Sequence, residues 1–165
     1  MATGVNDKYA NMAAVSMTLS AGALQFVELQ TGISLGQGMG ILIDEIDYYI
    51  ETGAKEDMGA NGDSIIMAWT ASNSISDIPI SDKSVIHQHQ CQYFEQGTPA
   101  NFAYVTEPSV YQFLPPMIVA APRIYLAAKS NAAVTGYLRS RLMYRFIKLT
   151  SQEYLEIAES FVLVG

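Results

Sequence analysis

Apolar and polar residues alternate with a period of two along most of this chain, the spacing expected when each strand buries one face. Val15, Met17 and Leu19 alternate with Ser16, Thr18 and Ser20, so a first strand is expected from Ala14 to Ala21, ended by Gly22. A second is expected over 23–31. After a connection holding Gly36, Gly38 and Gly40, the segment from Ile41 to Ile50 carries the clearest strand pattern. Its sides read as Leu42, Ile46, Tyr48 and Ile50 against Ile43, Glu45, Asp47 and Tyr49. Further strands are expected at 63–72, which holds Trp69, and at 84–94, 101–106, 117–128 and 135–149.

Turn chemistry separates these segments. Residues 51–63 combine charges with Gly53, Gly59 and Asn61-Gly62, which predicts an exposed loop. Pro108, Pro115, Pro116 and Pro122 would remove ladder donors from a central strand, so that stretch is expected to be a long loop or an edge. On the last strand Arg139, Arg141 and Arg145 share a face with Met143 and Ile147, while Leu138, Leu142, Tyr144 and Phe146 line the other. Thr150-Ser151-Gln152-Glu153 is a capping box, with Leu149 and Tyr154 as its hydrophobic staple. Tyr154, Ile157, Ala158 and Phe161 recur at helical spacing, which predicts the only helix. About eight antiparallel strands and one short C-terminal helix imply an all-β fold, a jelly-roll sandwich. The expected organisation is a single jelly-roll domain over 1–165, with an N-terminal arm at 1–13, the β-sandwich at 14–149, and the helix and C-terminal tail at 150–165. The Cys, Trp and Cys arrangement of immunoglobulin domains is absent.

Composition narrows the classes. Half of the 165 residues are hydrophobic and 15% are charged, enough apolar surface to offset chain ordering, so long disorder is excluded. With one cysteine no intrachain disulfide can form. No basic n-region precedes an apolar run, and no run reaches membrane-spanning length, so neither a signal peptide nor a membrane span is expected. The net charge of −7 opposes non-specific nucleic-acid binding by the whole surface. The charges are nevertheless segregated: Arg123, Lys129, Arg139, Arg141, Arg145 and Lys148 follow one another with no acid between, whereas acids gather from Asp44 to Asp57 and at Glu153, Glu156 and Glu159.

Candidate chemistry is sparse. His87, His89 and Cys91 alternate on one strand and could meet a metal ion from one side. The histidines are the only two in the chain, and the ordinary alternative is a half-polar inward face, so neither a metal nor a cofactor is assigned. Gly36-Gln37-Gly38-Met39-Gly40 precedes a strand instead of opening a helix and lacks the lysine of a phosphate loop. Asp57, Asn61 and Asp63 fail the EF-hand spacing and read as a solvated turn. No nucleophile, base and acid set stands out, and Asp44 and Asp47 are expected on opposite strand faces, so no enzyme is expected. The arginine face is the strongest feature outside the core. Guanidinium groups at alternate positions repel unless anions lie opposite, and the expected partner is the acidic strand from Asp44 to Glu51, in the same or a neighbouring subunit, with nucleic acid as the other.

Two resemblances follow from these residues. His87-Gln88-His89, with Glu95 beyond, resembles the first motif of the cupins, whose residues bind a metal inside a small β-barrel, although no later histidine is present. As a whole, the strand count, the long strands at 41–50 and 137–149, the proline-rich late loop and the apolar tail resemble a single-jelly-roll viral coat protein, or major capsid protein. That resemblance implies a structural protein that self-assembles into a closed shell around a genome, located in the virion and assembled in a host cell. Its partners would be itself, other coat proteins and, through any basic face, nucleic acid. Arg139, Arg141, Arg145, Asp44, Asp47, Tyr154 and Phe161 are the expected subunit contacts, together with the loop at 108–122. The alternative expectation is a cupin-like or lectin-like sandwich that binds a small ligand or metal.

Overall fold

A computed structural model describes residues 10–20, 22–33, 38–79, 81–96, 101–106 and 109–162. Residues 1–9 of the expected arm, Gly36-Gln37, Pro108, the side chains of Glu95 and Phe161, and the tail at 163–165 lie outside the described residues. Nine strands are present: β1 (Asn11–Leu19), β2 (Gln25–Gln30), β3 (Met39–Ile50), β4 (Ser64–Thr70), β5 (Val85–Gln96), β6 (Asn101–Thr106), β7 (Val110–Val119), β8 (Arg123–Ser130) and β9 (Gly136–Lys148). They form two antiparallel sheets, the first in the order β1-β9-β3-β7 and the second in the order β2-β8-β4-β5-β6.

The pairings are nested. Asn11 pairs with Tyr144, Gln25 with Ala128, Ile41 with Val119 and Ser64 with Gln92, so partners close in symmetrically on the connection at 71–84. A chain folded once on itself and then rolled, so that successive pairs fall alternately in two sheets, is the jelly roll that the strand pattern predicts. β6 extends the second sheet beyond the rolled pairs.

Between the sheets lies one apolar cluster. Val15, Leu19, Ile43, Ile46 and Leu138 of the first sheet meet Ile65, Met67, Trp69, Ile124 and Leu126 of the second. Trp69 crosses the layer: its Nε1–H donates to Ser140 Oγ at 2.8 Å, and that hydroxyl donates to the Asp47 carbonyl oxygen at 2.8 Å. Both polar groups are thereby satisfied inside a dry core.

Four expectations need correction. β1 begins at Asn11, inside the stretch assigned to the arm. The expected strand at 117–128 is two strands, since Met117 to Val119 end β7 and β8 starts at Arg123 after the turn at Pro122. β7 tolerates its prolines because it is an edge strand and because Ile43 pairs with Met117 while Glu45 pairs with Gln112, leaving Phe113 to Pro116 opposite Asp44 alone. The segment 51–63 is not wholly an exposed loop. It holds a second helix, α1 (Thr52–Glu56), which buries Ala54. Gly136 makes this possible: a Cβ there would stand 2.7 Å from the Ala54 Cβ. The terminal helix, α2 (Ser151–Val162), is where the capping box placed it, and among the described residues no helix is long and apolar enough to cross a membrane.

Candidate functional site

The outer face of the first sheet collects most of the residues expected at a site. β9 contributes Tyr137, Arg139, Arg141, Met143 and Arg145, exposed or half-buried, and Leu138, Ser140 and Leu142 on its buried side, as the alternation predicts. β3 departs from its expected sides. Its register shifts between Ile43 and Glu45, so Ile43 and Ile46 are both buried while Asp44, Glu45 and Asp47 are half-buried on the outside. A bulge adds one residue and resets the period of two. Asp44 and Asp47 therefore lie on one face, not on opposite faces.

This shift lets each carboxylate meet an arginine. Arg145 donates Nε to Asp44 Oδ2 at 2.8 Å and Nη2 to Oδ1 at 2.5 Å, a two-pronged contact. Arg141 donates Nε to Asp47 Oδ2 at 3.0 Å and reaches the same oxygen through Nη2. Hydrogen bonding to Asp47 holds the Arg141 guanidinium above its ordinary pKa, and bonding to Asp44 does the same for Arg145. Water screens both pairs, so they fix side-chain geometry more than they stabilise the fold. Arg139 differs. It is exposed, pairs across the ladder with Tyr49 and Ser16, and has no carboxylate in ion-pair range among the described residues.

Apolar side chains share this face. Met12, 63% exposed, pairs with Met143, which pairs with Glu45. Glu45 in turn accepts from Gln112 Nε2 at 2.9 Å. Tyr49 and Tyr137 are about half exposed, and Leu114 at the β7 edge is 97% exposed. A cavity of about 1020 Å³ borders Ala14, Ser16, Tyr49, Arg139 and Arg141 and continues past the end of β3 to Lys55, Ser109 and His89. Along this edge β7 starts opposite Asp47, and the Tyr48 amide donates to the Ser109 carbonyl oxygen at 2.7 Å.

α2 covers the other end of the same face. Tyr154 packs with Leu149, Ile147 and Ala120, and Leu42, Ile118 and Ile157 close around them. The capping box is formed: Glu153 N–H donates to Thr150 Oγ1 at 3.2 Å, and Thr150 N–H donates to Glu153 Oε2 at 2.9 Å. The Thr150 amide holds the Glu153 carboxyl well below the usual carboxylate range. Tyr154 is thus committed to its own sheet, and beside it Leu155 faces outward, 58% exposed, near exposed Glu156 and Glu159. Periodicity directs attention to the buried stripe and passes over Leu155. Its position off that stripe, beside Tyr154, was the available signal.

The histidines lie between the sheets. Tyr48 stacks on both, at ring separations of 5.8 Å from His87 and 5.2 Å from His89. His87 Nδ1 is 3.2 Å from the Tyr48 hydroxyl, and His89 Nδ1 is 3.2 Å from that of Tyr111. Cys91 is buried on the same side, and that burial pushes its thiol above the ordinary range, which disfavours the thiolate a metal or an electrophile needs. No group of three or more His, Cys, Asp or Glu that could hold a metal ion occurs among the described residues. Asp57 and Asp63 are engaged locally. Asp57 accepts from the Thr135 amide at 2.8 Å and its hydroxyl at 2.9 Å, and the amide above all lowers its pKa. Asp63 accepts from the Gly59 and Ala60 amides, as a turn residue does.

No family model matches the chain, and no curated protein matches it either.

Proposed function

We propose that this chain is a coat protein: a jelly roll that self-assembles into a closed shell around a genome, acts in the virion and carries no chemistry of its own. The observation that carries this proposal is the outer face of the first sheet, where Tyr49 and Tyr137 are exposed beside Arg139 and, beyond Arg141, Met12 and Met143 are exposed as a second pair. Interfaces favour aromatic residues, Met and Arg and disfavour Lys, and exposed Met and Tyr side chains interleaved with arginines on a chain with 15% charged residues have that composition. A small-ligand module has less support: Trp69 and Tyr48 in the sandwich interior are at most 1% exposed, and the cavity that reaches His89 is the place such a ligand would sit.

The test is the particle mass of the purified protein by light scattering and negative-stain microscopy, at low and at moderate salt. Megadalton shells or regular sheets are expected, with assembly that responds to salt because charged pairs are screened. A sharp monomer or dimer under every condition would sink the proposal and return attention to small-ligand binding. Genome contact and accessory coat proteins belong to the same proposal, and co-purification of nucleic acid with the particles tests the first of them.

A further inference from the structure

The outer face of the first sheet has two unlike halves. One is covered by α2, and the other, which runs along β9 from Arg139 to Met143 with Met12 beside it, is exposed among the described residues. A helix stands about 10 Å proud of the sheet that it covers, so the bare half is a shelf recessed by one helix thickness. A step beside a shelf of equal depth is self-complementary under a two-fold rotation. Near Arg139 the charges agree with the shape, and the acid on this half, Glu45, lies four residues along β9 beside Met143. Arg141 and Arg145 are answered within their own sheet, while Arg139 is not answered among the described residues. The outward side of α2 offers Glu156 and Glu159, and the helix has no basic residue. Glu156 accepts from Gln152, a neutral donor that leaves its charge available.

We infer that two copies of this chain associate about a two-fold axis through these faces, the α2 of each lying on the bare half of the other. Glu156 and Glu159 then face the partner copy's arginine at position 139, and Leu155 packs between the methionine and tyrosine side chains of the shelf. An apolar anchor within a ring of complementary charge is how compact interfaces gain both affinity and register. The inference deepens the coat proposal and rests on it, because it names the contact from which a shell is built.

Charge exchange in the full chain tests it. Arg139→Glu alone and the double variant Glu156→Arg/Glu159→Arg alone should each weaken self-association by about tenfold, measured by concentration-dependent light scattering. An equimolar mixture of the two should recover association, because both contacts of a mixed pair are then complementary. Leu155→Asp, at an exposed position, should weaken association without lowering the thermal transition. Association unchanged by all of these variants, or variants that weaken it without recovery on mixing, overturns this contact and leaves the coat proposal standing. A wild-type chain that stays monomeric at every concentration overturns both.

Discussion

Two polar links cross the core, and they are built differently. Trp69 and Ser140 form a single line of short hydrogen bonds, the first buried and the second partly buried, that ends on the β3 backbone. The second link, from His87 and His89 to Tyr48 and Tyr111, consists of stacked rings with longer contacts of 3.2 Å, and His87 is only half-buried. The first ties a side chain of β4 to the centre of the facing sheet, where losing the serine would leave a buried indole N–H without its partner. The second lies toward β7, the edge of its sheet, and the cavity borders both His89 of this link and Ser140 of the first. Position in the sandwich, more than polarity, therefore decides how much each link stabilises the fold.

The sharpest way to break that contrast is Trp69→Ala, which removes the largest buried side chain and should cost about 3–5 kcal/mol in denaturant unfolding. A loss below about 1 kcal/mol would show that the two sheets do not depend on this crossing. Ser140→Ala keeps the indole in place but strands its N–H, and about 1–3 kcal/mol is expected from the same measurement. His89→Phe preserves a ring to stack on Tyr48 and gives up the contact with the Tyr111 hydroxyl. Its expected cost is below about 1 kcal/mol, and assembly should persist. If His89→Phe proved as damaging as Trp69→Ala, the two links would be equivalent and the contrast would fail.

Local patterns carried much of this fold. The two faces of β9, the inward set His87, His89 and Cys91 on β5, and the Thr150–Glu153 capping box are all readable because each depends on residues a few positions apart. What escaped depends on distant residues. The bulge at Asp44 has no local marker in the β3 sequence. It follows from β3 being gripped between β7 and β9, and it alone brings Asp44 and Asp47 to one face. α1 looks like a turn by composition and becomes a helix against Gly136, more than seventy residues later. Of the candidate site, the arginines and their acidic partners were legible as complementary charges. That Arg139 has no carboxylate partner among the described residues was not, because it depends on which residues the ladder sets opposite, Tyr49 and Ser16.

The order β1-β9-β3-β7 also bears on how the chain is made. Among the described residues β9 is the last strand in sequence yet lies between β1 and β3, and it is the one neighbour β1 has within its sheet. During synthesis the first strand therefore waits, unpaired, for nearly the whole chain to emerge. Its exposed edge carries Met17 and Leu19, which are buried once folding is complete. Such late, non-local closure slows folding and lengthens the time in which strand edges meet the wrong partner. Slowed translation or lowered temperature should thus raise the yield of folded protein, and a chain cut short before β9 has no way to assemble its first sheet.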